Sequence, residues 1–386
     1  MNNPTTMQSI INHHLTNYRD LKPLSPQQAK ACQRIALCRT EAMGGDVVHC
    51  AQCDYEQTYY HSCRNRHCPQ CQRQASQDWC ERQCQQLLPV HYHHVIFTLP
   101  HTLNPWAQLH PAIIYQALFQ AVWKTLKAFG QDPKRLGGQL GMVAVLHTWG
   151  QTLGQHIHLH CLIPSGAWNE ETQSWHPAKS HYLFPVKALS KHFRGAMVST
   201  LRQQYETGAL SRIKRDFNMT LNQLMQCNWV VHSKPHLQNP ETVVRYLARY
   251  THKTAIDNTR ITQLQNDHVT FRYKDYRDHD RHKQMCLPAV EFIRRFLLHI
   301  LPDGFMRIRH YGYLANCCRR KKLDQIREAL NQPAAGVNVD SIPKNKTHTS
   351  GIPINTNHPP GQCPQCQTGQ LYIICSITPK RRQRSQ

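Results

Sequence analysis

Hydrophobic residues recur along the chain with two alternating periods, one helical and one of strand type. Ser25 as N-cap, Pro26 in the first turn and AKACQRIALCR, stopped by Gly44-Gly45, predict a helix over 25–40. A polar-amphipathic helix follows over 72–88, ending at Pro89, and HYHHVIFTL (91–99) reads as a strand closed by Pro100. Residues 105–129 are helical, with a break or kink near Pro111. The period then drops to two. Gly137-Gly138 opens a hairpin of QLGMVAVLHTW, a turn around Gly150 to Gly154, and QHIHLHCLI closed by Pro164. A helix over 185–207, a strand over 228–233 and a helix capped by Asn239-Pro240 come next. Strands near 259–264 and 268–274 and a helix near 288–300 complete the pattern. Residues 331–362, rich in Asn, Pro, Gly, Thr and Ser, read as a linker before a short CPQC piece and the basic tail KRRQRSQ. No internal repeat is visible.

Composition narrows the class. Of 386 residues 40% are hydrophobic, enough to bury real cores and exclude wholesale disorder. No stretch of eighteen apolar residues offers a membrane span, and the polar start has no apolar signal core. A reducing, cytoplasmic setting is expected. There, 17 cysteines and 27 histidines favour metal binding over disulfides. Lys and Arg number 46 against 23 Asp and Glu, for a formal charge of +23, which points to nucleic acid as partner. The scarcity of acids weighs against a site that holds two metals with three carboxylates.

Cys50-Ala-Gln-Cys53 and Cys68-Pro-Gln-Cys71 are two CxxC knuckles, each able to give two thiolates to one tetrahedral Zn²⁺. Cys63 and His67 lie close enough to replace a ligand or serve a second ion, whereas Cys80 and Cys84, one turn apart, suit helix packing. Cys363-Pro-Gln-Cys366 lacks an obvious second knuckle, with Cys375 a possible addition. Arg64, Arg66 and Arg73 suit phosphate contact, or else form a solvated basic face.

His156-Ile157-His158-Leu159-His160 on a strand puts three imidazoles on one face and two apolar anchors on the other. With the turn centred near residues 152–153, His147 falls opposite His158. His147, His158 and His160 would then form a three-histidine site with open positions, suited to Mn²⁺ or another transition metal, or to Mg²⁺ with water completing the shell. His156 and Gln151 are rival third ligands. The alternative is a set of surface histidines on an exposed strand. On the helix after Pro240, Tyr246 and Tyr250 at i and i+4 share one face. A tyrosine can attack a phosphodiester and conserve the bond as a phosphotyrosine. With an ordinary pKa near 10 it needs a metal on the phosphate or cations such as Arg245, Arg249 or Lys253. The same pair could equally be an aromatic stripe in a core.

The blocks SCRNRHCPQC, HTWGQTLGQHIHLHC, RYLARYTHKTAI, and FRYKDYRD followed by EFIRRFLLHILP and RIRHYG occur in this order across roughly residues 25–330. Together they resemble the insertion-sequence-91 family of transposases, two-tyrosine members of the HUH endonuclease class (His, hydrophobic residue, His). The stretch before the motif reads QHIH, where members of that family often carry a proline after the first histidine. This touches the strand's entry and leaves His158-Leu159-His160 intact. The resemblance implies an α+β fold, with a central antiparallel sheet of HUH-endonuclease type flanked by helices and a small Cys-rich zinc module at the N-terminus. It divides the chain into a helix and zinc module (1–90), an HUH-type catalytic domain with a basic DNA-binding region (91–330), and a linker with the CPQC piece and basic tail (331–386). It makes His158 and His160 the metal motif and Tyr246 and Tyr250 the nucleophiles; His147 rests on the hairpin geometry.

The expected function is a metal-dependent transposase that nicks single-stranded or hairpin DNA at the ends of a mobile element through a 5′-phosphotyrosine and supports rolling-circle transposition. Its expected cofactors are structural Zn²⁺ and catalytic Mg²⁺ or Mn²⁺, its expected place the nucleoid. The stretch 271–325, with 13 Lys/Arg against 6 Asp/Glu, would grip the backbone. The alternatives are a plasmid replication initiator or relaxase of the same chemistry, and a catalytically silent zinc-dependent DNA-binding protein.

Overall fold

The structure, a computed structural model, describes residues 5–178, 183–213, 216–237, 254–330 and 361–379. The centre is a five-stranded, wholly antiparallel sheet. Its strands are β3 (Tyr92–Thr98), β4 (Gly141–Trp149), β5 (Gln155–Pro164), β8 (Val231–Leu237) and β12 (Ile308–Gly312), in the order β12-β4-β5-β3-β8. Two short strands between them, β6 (Gly166–Asn169) and β7 (Ser174–Pro177), pair as a separate hairpin. Strand β4 (GMVAVLHTW) is buried almost throughout, as a strand covered on both faces must be. Alternation then assigns the faces. Met142, Ala144, Leu146, Ile157, Leu159, Cys161, Val95 and Phe97 pack on one side with α5 (Pro111–Gln131) and α6 (Val186–Glu206). Val145, His147, His158 and His160 belong to the other.

Pro111 does break the predicted long helix. It begins α5 directly after α4 (Asn104–Leu109), because the ring tolerates a first turn but not a helix interior. The helix predicted from Ser25 is α2 (Pro26–Ala36). There Ser25 Oγ accepts from the Gln28 N–H while Gln28 Oε1 accepts from the Ser25 N–H, a reciprocal capping box. It follows α1 (Met7–Leu21), which sequence periodicity had not singled out. Met7, Ile10, Ile11, His14 and Tyr18 form the buried stripe of α1.

That stripe packs far along the chain, onto a three-stranded meander and the helix after it: β9 (Ile261–Gln265), β10 (His268–Asp275), β11 (Arg281–Pro288) and α8 (Ala289–Leu297). One core unites Met7, Ile10, Cys32 and Ile35 with Phe271, Phe292, Ile293 and Phe296. Truncating a fully buried ring such as Phe292 to Ala would cost about 3–5 kcal/mol. A second small sheet, ordered β13-β1-β2, joins β1 (Gly45–Cys50) and β2 (Glu56–Tyr60) to β13 (Leu371–Ile377), near the far end of the chain. Helix α3 (Pro69–Cys84) follows the Cys-rich loop, α7 (Phe217–Gln226) precedes β8, and α9 (Arg319–Ala329) is the last helix among the described residues.

Candidate metal centre and the cleft around it

The hairpin of β4 and β5 sets His147 directly opposite His158. His160, two residues on, lies between Val145 of β4 and Ile96 of β3. The ligand nitrogens of His147, His158 and His160 all lie within 4.8 Å of one another, so one ion can bridge three imidazoles. His156 is not in this group. The register slips between His147 and Trp149, so that His156 and Ile157 oppose Thr148 alone, a bulge on β5. The backbone carbonyl of His156 lies 2.8 Å from His158 Nδ1. His156 thereby orients a neighbouring ring rather than offering its own.

A histidine that sequence reasoning passed over completes the shell. His94 of β3 is buried, and its Nε2 lies 2.9 Å from Nδ1 of His160. For His160 to present a lone pair on Nε2, its Nδ1–H must donate to His94, the usual outer-shell arrangement of a ligating histidine. The period-two face His94, Ile96, Thr98 was visible in HYHHVIFTL, but nothing local says that β3 lies beside β5. Burial pushes the His158 imidazolium down to about 4, with His156 adding repulsion, so the ring is neutral at physiological pH and able to ligate.

The turn beneath the histidines is locked from below. Leu153, in the left-handed region at φ 61°, is fully buried in the core of α1 and α8. Buried His299 spans the turn: Nε2 donates to the Leu153 carbonyl at 3.0 Å, and Nδ1 accepts from Thr148 Oγ1 at 3.1 Å. Arg295 donates to the Thr152 carbonyl at 3.1 Å, and Arg260 donates to the carbonyls of Gln151 and Arg272. The rival ligand Gln151 is spent on the meander, its amide donating to Tyr276 Oη at 3.3 Å.

The histidines open into a cleft of about 910 Å³. Its far wall is the tip of the meander, with Tyr273, Lys274, Tyr276 and Arg277. Tyr276 is 64% exposed, and Lys274 Nζ stands 5.3 Å from its ring centroid. The helix predicted from Pro240, with Arg245, Tyr246, Arg249, Tyr250 and Lys253, lies outside the described residues. Residues described on either side of that segment, His232 and Thr254, both line the cleft.

The cysteines sort differently from the expectation. Cys50 and Cys53 do not meet Cys68 and Cys71. Cys68 and Cys71 join Cys63 and Cys38, the last from the turn after α2, while Cys50 and Cys53 join Cys363 and Cys366. The reading in which the two knuckles share one ion is therefore corrected. Each knuckle has its own partners, because β1 and β2 carry the first to β13 while α3 turns the second back toward α2. Tetrahedral thiolates at about 2.3 Å from Zn²⁺ lie about 3.8 Å apart. Cys71 Sγ is 3.6 Å from both Cys38 and Cys63, which fits. His67 is no ligand here: its Nε2 accepts from the Leu301 N–H, and burial holds it well below the usual imidazole range, at about 3. Arg66 is half-buried, donating to the carbonyls of Pro302 and Phe305, so it ties the Cys-rich loop to the residues after α8. Arg64 is exposed. Cys84 packs in a core with Trp79 and Leu88, and Cys375 stands exposed on β13.

Comparison with known proteins agrees with this architecture. A family model described as "Putative transposase" matches residues 141–322, and one described as "Transposase zinc-binding domain" matches residues 10–99. The chain is 40% identical over 359 residues to "Putative transposase y4qJ" of Sinorhizobium fredii (strain NBRC 101917 / NGR234), covering 91% of this chain and 90% of that protein. It is 26% identical over 319 residues to "Transposase for insertion sequence element IS801" of Pseudomonas savastanoi pv. phaseolicola, covering 80% and 75%. No solved structure matches. Fold, cysteine clusters and matches together define a transposase with an N-terminal zinc-binding domain. The chain belongs to the insertion-sequence-91 family. No helix among the described residues is long and apolar enough to cross a membrane.

Proposed function

We propose that the chain cuts and joins single-stranded DNA at the ends of its element through a phosphotyrosine, with His147, His158 and His160 holding the divalent cation of the reaction. The observation that carries this reading is the three-imidazole cluster facing a cleft whose other wall carries Tyr273, Tyr276 and Arg277. A Mg²⁺ or Mn²⁺ bound there would act as a Lewis acid on the scissile phosphate.

The protein's own residues supply the rest. His94 and the His156 carbonyl hold two of the rings in their working tautomers. Tyr276 offers a flat exposed ring on which a base can stack, and Arg277 offers charge to the backbone beside it. The phenolic oxygen of Tyr246 or Tyr250 attacks phosphorus and loses its proton. The bond from phosphorus to the 3′ oxygen breaks, the 5′ end stays on the tyrosine, and a 3′ hydroxyl is released to prime synthesis. The second tyrosine serves the later cleavage or target joining. Arg245, Arg249 and Lys253, on or just after the same predicted helix, favour the phenolate. Structural Zn²⁺ at the cysteines shapes the N-terminal module.

The test is cleavage of single-stranded DNA spanning the element's ends, with Mg²⁺ or Mn²⁺ and with chelator. A metal-dependent covalent adduct mapping to Tyr246 or Tyr250 is the expected result. DNA that shifts in a gel but is never cut, with correct ends and metal present, would overturn the reading in favour of a binding protein.

A further inference from the structure

The C-terminal CPQC piece has a partner 310 residues away in sequence, and that partner is the first CxxC knuckle. Cys53 Sγ lies 3.7 Å from Cys363 Sγ, and Cys50 Sγ lies 3.7 Å from Cys366 Sγ. All four sulfurs fall within 4.8 Å of one another. A disulfide needs about 2.05 Å between sulfurs, whereas the edge of a zinc tetrathiolate is about 3.8 Å. The separation excludes a disulfide and fits a tetrathiolate around a metal. Backbone N–H groups point at the sulfurs from both knuckles, Gln52 to Cys50 at 3.3 Å and Gly369 to Cys366 at 3.2 Å, as suits thiolates. Gly369 is tightly specified as well, since a Cβ there would meet Cys50 Sγ at 2.3 Å.

The sheet built around these sulfurs has little else to hold it. Among the described residues its buried core comprises Val48, Cys50, Cys363 and Leu371, with Cys53, Tyr55, Tyr59 and Cys366 packed partly against it. A core of that size does not support three strands in water and needs a staple. Only half of the cluster lies within the residues matched by the zinc-binding family model, 10–99, whereas Cys38, Cys63, Cys68 and Cys71 all do.

We infer that Cys50, Cys53, Cys363 and Cys366 form a second zinc site, a clasp that fastens residues 361–379 onto the N-terminal module as an integral strand of it. The clasp closes a loop through almost the whole chain and makes the segment's attachment independent of residues 331–360. It brings Pro379, the last of the described residues, close against Gly44. The inference does not depend on the DNA-cutting chemistry proposed above.

Two measurements test it on the full chain. Native mass spectrometry after Zn²⁺ loading, on a chain whose histidine cluster is removed by His158→Ala/His160→Ala, should show two zinc ions, and one when Cys363→Ser/Cys366→Ser is added. Cys366→His, which keeps a zinc-competent donor, should restore the second. Cys68→Ser/Cys71→Ser should lose the other ion and keep the clasp. The second measurement leaves the cysteines intact. With a specific protease site inserted between residues 331 and 360, the cut chain should retain its C-terminal fragment through gel filtration in zinc buffer and release it when chelator strips the metal. Two zinc ions still bound after the two serines are added to the chain without the histidine cluster would overturn the clasp. So would a fragment lost while zinc stays bound, or one retained equally after the metal is gone.

Discussion

His94 and His160 lie with their rings nearly parallel, 5° apart, and share one hydrogen bond of 2.9 Å across the β3–β5 boundary. Which ring donates decides whether His160 can ligate. With Nδ1–H of His160 donating, its Nε2 carries the lone pair; with the opposite tautomer it carries a proton. Replacing His94 by Ala should therefore weaken Mn²⁺ binding about 10- to 100-fold, while His94→Gln, whose side-chain oxygen still accepts, should recover part of it. Calorimetric titration of Mn²⁺ at pH 7 reads both. Unchanged affinity in His94→Ala would remove His94 from the site.

The tyrosines are tested by separating binding from chemistry. Tyr246→Phe/Tyr250→Phe should form no covalent DNA adduct, yet bind the same single strand within about twofold of the wild type, since two hydroxyls contribute little to a phosphate-dominated affinity. An adduct that persists in the double variant would place the nucleophile elsewhere.

Tyr276 should matter for the grip and not for the metal. Tyr276→Ala should weaken single-strand binding by about 5- to 100-fold, corresponding to about 1–3 kcal/mol for one lost stacking contact. Arg277→Gln should instead lower the slope of log affinity against log salt by about one phosphate's worth. Fluorescence anisotropy over a salt series distinguishes the two. Neither change should alter Mn²⁺ affinity, and a loss of metal binding in Tyr276→Ala would show that the meander tip belongs to the metal site.

Buried His299 predicts an acid weakness. Burial holds it at about 4, against an ordinary value near 6.5. The unfolded chain then binds the proton first. Stability present above about pH 6.5 is lost as pH falls toward 4, by up to about 3 kcal/mol. In His299→Gln, which keeps a donor for the Leu153 carbonyl and an acceptor for Thr148, this part of the pH dependence should vanish. Urea midpoints of both proteins at pH 7 and pH 4.5 give the comparison. An equal gap between them at both pH values would contradict the assignment.

Cys32 and Cys38 make an internal control for the zinc sites. Both are fully buried, but Cys38 belongs to a sulfur tetrad, whereas Cys32 packs in the core of α1 and α8, where burial pushes its thiol up to about 12. Cys38→Ser should lose one zinc ion; Cys32→Ala should keep the full complement and lose only packing energy, about 1 kcal/mol. A zinc count that falls in Cys32→Ala would show that the ligand set has been misread.

What the sequence determined by itself was whatever depends on neighbours along the chain. Ser25 and Gln28 cap a helix because their side chains reach only a few residues. Pro111 breaks one because its ring meets the preceding turn. The turn bracketed by Gly150 and Gly154, with period-two alternation on either side, was enough to set His147 opposite His158. Tertiary structure alone decided the rest, for one physical reason: a CxxC knuckle or a strand face carries no record of its distant partner. The two knuckles have the same local form, yet β1 takes one to a strand more than 300 residues away while α3 turns the other back to Cys38. His94 becomes a neighbour of His160 only once β3 is seated against β5. The bulge beside His158 sits at the foot of a turn that His299 spans, through hydrogen bonds to Thr148 and Leu153 made across some 150 residues of chain.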